Sequence, residues 1–174
     1  LQLLQRAYGQ FVPQETAWPL AGGGVVDPFR PQIQPKGFIH AEELAADRAQ
    51  HFAAVRRAIE ELDVFVFTLG LTEAWMDRRD GAVFPLAPGV AGGRFDDSIH
   101  CFHNFDVAET VADMDAAFAM IRERNPAARF LVTVSPVPLN ATALPRHIWV
   151  STSYSKAVLR VAAEQICAAW EKTA

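Results

Sequence analysis

Two short apolar runs, each framed by helical patterns, constrain this chain more than any other feature. Asp63 to Leu69 reads "DVFVFTL", and Arg129 to Val134 reads "RFLVTV". Both are too short and too uniformly apolar for a surface helix. Their Val and Phe content predicts strands buried on both faces. Ala41 to Leu62 places Leu44, His51/Phe52, Val55, Ile59 and Leu62 on one stripe, with charges elsewhere, which is a helix. Val107, Val111, Met114, Phe118 and Ile121 mark a second helix, closed by Asn125-Pro126. From about Ser151, the series Val158, Leu159, Val161, Ala162, Ile166 and Trp170 marks another. Helices alternating with short buried strands predict a layered α/β domain with a parallel sheet.

The connections carry the rest of the chain. Leu1, Leu4, Tyr8 and Phe11 fit a short helix. "AGGGVVDPFRPQIQPKGF", Ala21 to Phe38, has three consecutive glycines and three prolines, so it excludes both a helix and a central strand. "DGAVFPLAPGVAGGRFDDSIHCFHNF", Asp80 to Phe105, is a long excursion with a small hairpin expected after Asp80-Gly81. Two firm strands are few for 174 residues. Either further strands lie within these loops, or the sheet needs more chain.

That length suits one domain, spanning 1–174. A net charge of −4 gives no electrostatic reason to expect nucleic acid as a partner. No apolar run is long enough for a membrane-spanning helix. The opening "LQLLQRAYGQF" is too polar for a signal peptide and lacks an initiator Met, so a fragment is expected. Two distant cysteines, Cys101 and Cys167, make a disulfide framework unexpected and a reducing cytoplasm the default.

In parallel α/β sheets, the loops beyond the strands' carboxyl ends form the ligand crevice. Two such loops are "GLTEAW" after the first strand and "SPVPLNAT" after the second. Gly70 permits close approach of a bound group or supplies a positive φ angle. Thr72 offers a hydroxyl and Glu73 a carboxylate. The competing reading is a strand-to-helix connection in which Thr72 or Glu73 caps the next helix. A second cluster comprises Asp96, Asp97, His100, Cys101, His103 and Asn104. Imidazole, thiolate and carboxylate are metal ligands, but "HCFH" matches no ligand spacing, so solvated loop histidines, or one histidine hydrogen-bonding the active edge, are expected and no metal is assigned. "SYSK", Ser153 to Lys156, fits the S-x-x-K pattern of serine acyl enzymes but lacks its partner motifs, and it reads instead as a capped helix start. Gly22 to Gly24 follow no strand and make no phosphate loop. His147 fits either core or site. His51, on a helix stripe, reads as a core histidine.

Several longer stretches resemble one family. "VDPFRP", Asp47-Arg48, His51, Ala54-Val55-Arg56, "FVFTLGLTEAW", "DGAVFPLAPGVAGG", "FHNF", "NPAARFLVTVSPVPLNATA" and "YSKAVLRVAAE" look like the bacterial GSCFA-domain proteins, in the same order and over about Leu3 to Glu164. The resemblance implies the fold of the SGNH hydrolases: three-layer α/β/α with a mainly parallel sheet, here incomplete at both ends. It also implies cleavage or transfer of acyl esters, of carbohydrate or lipid, by a serine nucleophile and without a cofactor. Neither the family's Gly-Ser-Cys-Phe-Ala segment nor its downstream segment, a "YFPSYE"-like motif with a later Asp-x-x-His, occurs in these residues. The chain is therefore expected to be the middle of such a domain, with nucleophile and base elsewhere. "GLTE" resembles the third SGNH motif, Gly-x-Asn-Asp. Gly70 matches, Thr72 stands where asparagine is expected, and Glu73 stands for aspartate. The resemblance thus places Gly70, Thr72 and Asn104 on the oxyanion side, with Asn104 supplying the missing amide. Glu73 and Trp75 hold the loop, and Ser135 lies beside it. The reading from another class is a catalytically inactive α/β binding module.

Overall fold

A computed structural model describes residues 1–171. In chain order the elements are α1 (Gln2–Ala7), β1 (Trp18–Pro19), β2 (Val25–Val26), α2 (Ala41–Glu61), β3 (Val64–Leu69), β4 (Glu73–Asp77), β5 (Val83–Phe84), β6 (His100–Asn104), α3 (Val107–Arg124), β7 (Arg129–Val134) and α4 (Ile148–Trp170). The chain is α/β, with one parallel pair and two small antiparallel sheets. It forms two compact units, one of residues 1, 58–73 and 104–174, the other of residues 2–57 and 74–103.

The first unit is built on β3 and β7, which pair in parallel from Val64 opposite Arg129 to Leu69 opposite Val134. This is the pairing that the two apolar runs predict. Side chains alternate across a strand. Phe65, Leu69, Phe130, Val132 and Val134 face a core closed by Met114 and Phe118 of α3 and by Leu159 and Ile166 of α4. Phe118 stacks on Phe130 with ring centroids 4.0 Å apart, and Trp170 meets both rings edge-on. Each such side chain contributes about 1.5–3 kcal/mol by leaving water. The opposite face, with Val64, Val66 and Leu131, is exposed. The expectation of strands buried on both faces is therefore corrected, because α3 and α4 both pack on one face. Uniform composition hides this, since it shows no alternation to read.

The helices of this unit start where their sequence allows. Asp106 caps α3 in a full capping box with Glu109, satisfying two orphan amides. Asn125 closes it, and its side chain donates to the carbonyls of Ile59 and Leu62. The fourth helix begins at Ile148 rather than near Ser151, and His147 caps it by accepting from Trp149 N–H. The serines of "SYSK" therefore sit inside α4 and cap nothing, which corrects the helix-start reading.

The second unit holds the strands that the loop composition conceals. Trp18 and Pro19 pair antiparallel with Val26 and Val25, and Val25 also bridges to Phe38. Glycine is required here. A Cβ on Gly24 (φ +84°) would lie 2.6 Å from the Phe38 carbonyl oxygen, and one on Gly37 (φ +72°) 2.8 Å from that of Val25. The strand β4 neighbours β5 and β6 in a three-stranded sheet. Asp80-Gly81 lies within the β4–β5 turn, with Gly81 at φ +75°, so the hairpin closes across this dipeptide rather than after it. The helix α1 stops at Ala7, short of the expected Phe11, because Gly9 turns the chain at φ +71°.

Trp18, Val26, Ala82 and Phe84 form a small core in this unit. Around it are buried charges. Asp27, 1% exposed, accepts from the guanidinium groups of Arg30 and Arg48 and from Phe29 N–H. Asp77, fully buried, is paired with Arg79 at 2.5 Å. No helix among the described residues is long and apolar enough to cross a membrane.

Candidate active site

The carboxyl edge of the parallel pair is where chemistry-bearing residues converge. Ser135 N–H donates to the Leu69 carbonyl at 2.9 Å, so Gly70 and Ser135 leave the sheet side by side. Gly70 does not adopt a positive φ, which removes that reason for a glycine. A Cβ there would meet no atom within 4 Å, so the backbone borders open space. The Gly70 carbonyl accepts from Lys156 Nζ at 2.8 Å. Burial pushes the Lys156 ammonium below its usual pKa.

Thr72 is 1% exposed, and its polar groups are engaged. Its N–H donates to Ser155 Oγ at 3.1 Å, and its carbonyl accepts from Phe105 N–H at 2.8 Å. Its hydroxyl donates to Asn104 Oδ1 at 2.7 Å. That bond uses the threonine proton and fixes the plane of the Asn104 amide. With Oδ1 held, the two N–H groups of Nδ2 point the other way. Asn104 is half-buried.

The helix-cap reading of Thr72 and Glu73 is corrected, since a strand, β4, follows them and no helix. The Glu73 carboxylate instead accepts from Thr142 Oγ1 at 2.7 Å. Behind it runs a chain of hydroxyls. Thr142 Oγ1 lies 3.0 Å from Ser151 Oγ, and Ser151 Oγ accepts from Arg146 Nε at 2.9 Å. Glu73 thereby ties the loop after β7 to the start of α4. Ser135 Oγ accepts from Val137 N–H, turning that loop away from the strand.

Two cavities open at this edge. One, of about 210 Å³, is lined by Phe67, Leu69, Gly70, Leu71, Phe105 and Met114 among others and is mostly apolar. The other, of about 460 Å³, has Ser135, Lys156 and Arg160 in its wall. The edge thus combines an oriented amide, an apolar recess and two cations.

Trp75 does not join this group; it belongs to the second unit, where its ring meets Phe95 and Phe102 edge-on. His100 is no solvated loop residue. It starts β6, is 2% exposed, accepts from Asp96 N–H at Nδ1 and lies 3.0 Å from Glu15 Oε1 at Nε2. With both ring nitrogens engaged, the imidazole has no lone pair for a metal. Among the described residues no group of His, Cys, Asp and Glu could hold one.

Lys156 enters the sequence reading only through the S-x-x-K pattern, and Ser155, which meets Thr72, does not enter it as a candidate. The available signal was spacing. Ser151 and Ser155 fall on the same buried stripe of α4 as Val158, Leu159, Ala162 and Ile166. A hydroxyl on a core-facing stripe needs a partner, and Thr72 N–H is that partner for Ser155.

The sequence profile of the GSCFA family matches residues 2–174. No curated protein and no solved structure matches the chain.

Proposed function

The chain belongs to the GSCFA family, and we propose on that basis that it forms the oxyanion side of an SGNH-like hydrolase or acyltransferase acting on acyl esters. The observation that carries this reading is the bond from Thr72 Oγ1 to Asn104 Oδ1 at 2.7 Å. The position where the SGNH motif has asparagine is occupied by a threonine that holds an asparagine from another strand. Thr72 is then a positioning residue, and Asn104 Nδ2 is the donor.

In the reaction, a serine hydroxyl attacks the acyl carbonyl carbon and loses its proton to a histidine. The carbonyl electron pair moves onto oxygen. Asn104 Nδ2–H donates to that oxyanion, in an orientation set before the reaction begins, which is worth about 3 kcal/mol of barrier. Collapse breaks the ester C–O bond, and the histidine returns its proton to the departing alcohol. Water or an acceptor hydroxyl then takes the acyl group from the serine. The serine and histidine come from outside these residues. The open space beside Gly70 receives the carbonyl, and Glu73 and Ser135 hold the surrounding loops. The free thiols of Cys101 and Cys167 fit a reducing, cytoplasmic setting.

The test uses protein carrying the whole family domain and short acyl esters. Asn104→Ala should lower kcat by roughly tenfold to a thousandfold with little change in KM. Thr72→Val keeps the shape, releases the amide and should lower kcat by less. An unchanged kcat in Asn104→Ala would remove the oxyanion assignment. No turnover by the whole domain would make this edge the ligand site of a catalytically inactive binding module. The 174-residue chain alone should show only trace activity; robust turnover abolished by Ser153→Ala or Lys156→Met would transfer the reaction to the S-x-x-K pair.

A further inference from the structure

In the second unit, Arg6 is buried, and its Nε has no hydrogen-bond acceptor among the described residues. The residue is 7% exposed. Its guanidinium carbon lies 3.7 Å from the centroid of the Phe29 ring and 5.2 Å from that of Phe52. Those contacts use the flat faces of the group, and the N–H bonds lie in its plane. The Nε–H is fully enclosed and has no partner among the described residues. The nearest carboxylate, Asp27, acts on Arg6 through space, but its oxygens are taken by Arg30, Arg48 and Phe29 N–H. Burial draws the Arg6 pKa down to about 10, which still leaves a full positive charge at neutral pH.

Buried guanidinium groups normally spend their donors on carboxylates or carbonyls, because an unpaired buried charge is costly. Arg6 forms part of the wall of a cavity of about 540 Å³, with Tyr8, Gly9, Phe52 and Arg56 among its other lining residues. Arg56 donates one N–H to the Ala7 carbonyl and keeps the rest of its fork. None of the described residues that line the cavity is acidic. Two cations and two aromatic rings thus surround a space that contains no counter-charge. An apolar occupant would leave the guanidinium donors unpaired, and a cation would be repelled. A planar carboxylate or a phosphate matches the fork of an arginine in both geometry and charge.

We propose that this cavity is an oxyanion-binding site, taking the carboxylate or phosphate group of a small molecule between Arg6 and Arg56, with Phe52 and Tyr8 against the body of the ligand. The proposal does not depend on the acyl-transfer reading.

The experiment titrates the full chain with inorganic phosphate and, separately, with acetate, each against sodium chloride at matched ionic strength. Binding is followed by calorimetry and by the thermal midpoint. Saturable binding with a raised midpoint is expected for at least one anion. Stronger binding of phosphate assigns a phosphate-bearing ligand, and stronger binding of acetate a carboxylate. Arg56→Gln, at the cavity rim, should weaken the Kd by about tenfold to a hundredfold, as for a lost charge-assisted bond. Arg6→Met should abolish binding; if that variant does not fold, Arg56→Gln decides alone. The proposal is overturned if neither anion exceeds chloride at tens of millimolar, or if Arg56→Gln binds as the wild type does.

Discussion

Among the described residues, the polar ones buried in the first unit are Thr72, Asn125, Ser151 and Ser155, all neutral; those in the second are Arg6, Asp27, Asp77 and His100, all ionisable. The first unit has helices and a parallel pair to satisfy its backbone, and an apolar core led by Phe118 and Leu159. A buried hydroxyl there costs little once paired, so it is available to orient a site. The second unit has strands of two to five residues and a core of few side chains. Its loops are held where charges meet, at Asp27 with Arg30 and Arg48 and at Asp77 with Arg79. Ion pairs in a protein interior stabilise only while both partners are present. The second unit should therefore respond to pH and charge where the first responds to volume.

The largest expected effects are a matched pair of substitutions. Phe118→Ala should cost about 3–5 kcal/mol by opening a cavity under β3 and β7. Asp27→Ala should cost a similar ~3–5 kcal/mol by leaving two arginines without their carboxylate. Denaturant midpoints measure the cost, and amide exchange locates it. Loss of protection confined to the wrong unit in either variant breaks the comparison.

Acid should separate the units next. At Asp27, burial raises the carboxyl pKa, but the Phe29 N–H and the Arg48 and Arg30 charges outweigh it, and the net shift is below 3.8. At Asp77, the Arg79 hydrogen bond is the main cause of a similar lowering. A folded pKa below the unfolded one means full stabilisation above about pH 4, lost as pH falls through the folded value. Asp113, in the first unit, has the opposite sign. Burial raises its pKa, so acid relieves its cost. Amide protection between pH 5 and pH 2 should therefore fail in residues 2–57 and 74–103 before it fails around α3 and α4. Simultaneous loss would show that the buried charges do not set the acid limit.

Smaller effects refine the first unit. Asn125→Ala should cost about 1–3 kcal/mol, since the Ile59 and Leu62 carbonyls lose their donor. Asp106→Ala should cost about 1 kcal/mol through the lost cap of α3, with frayed exchange near Val107 as its signature.

The same contrast explains what was readable in the amino-acid sequence. Helix α3 and the β3–β7 pair follow from periodicity and from bounded apolar runs, because burial alone fixes them. Strands β4 to β6 lie in stretches rich in Gly, Pro and charge, such as "DGAVFPLAPGVAGG". There, only the β4–β5 hairpin has a local signal, in Asp80-Gly81; the neighbour β6 lies more than 20 residues beyond β4 and leaves no local pattern. At the candidate site, Gly70, Thr72, Glu73 and Asn104 were legible through their likeness to a known motif. That Thr72 gives its proton to Asn104 was not, because the two are 32 residues apart in sequence and only the fold brings them to 2.7 Å. Trp75 shares a heptapeptide with Gly70, yet its ring packs in the second unit. Proximity along a strand does not make residues members of one site.

The β3–β7 pair also bears on how the chain behaves at high concentration. Among the described residues it is a two-stranded sheet, so each strand keeps one edge without a neighbour. "VFVFTL" has no charge and no proline, and "RFLVTV" has one charge, at its first position. Six-residue segments of this composition stack readily into cross-β fibrils when their edges are open. Val66 at 58% and Leu131 at 52% exposure add an apolar face to those edges. Storage conditions for the isolated chain are thus set by colloidal behaviour as much as by folding: dilute solution and a covered strand edge limit such stacking.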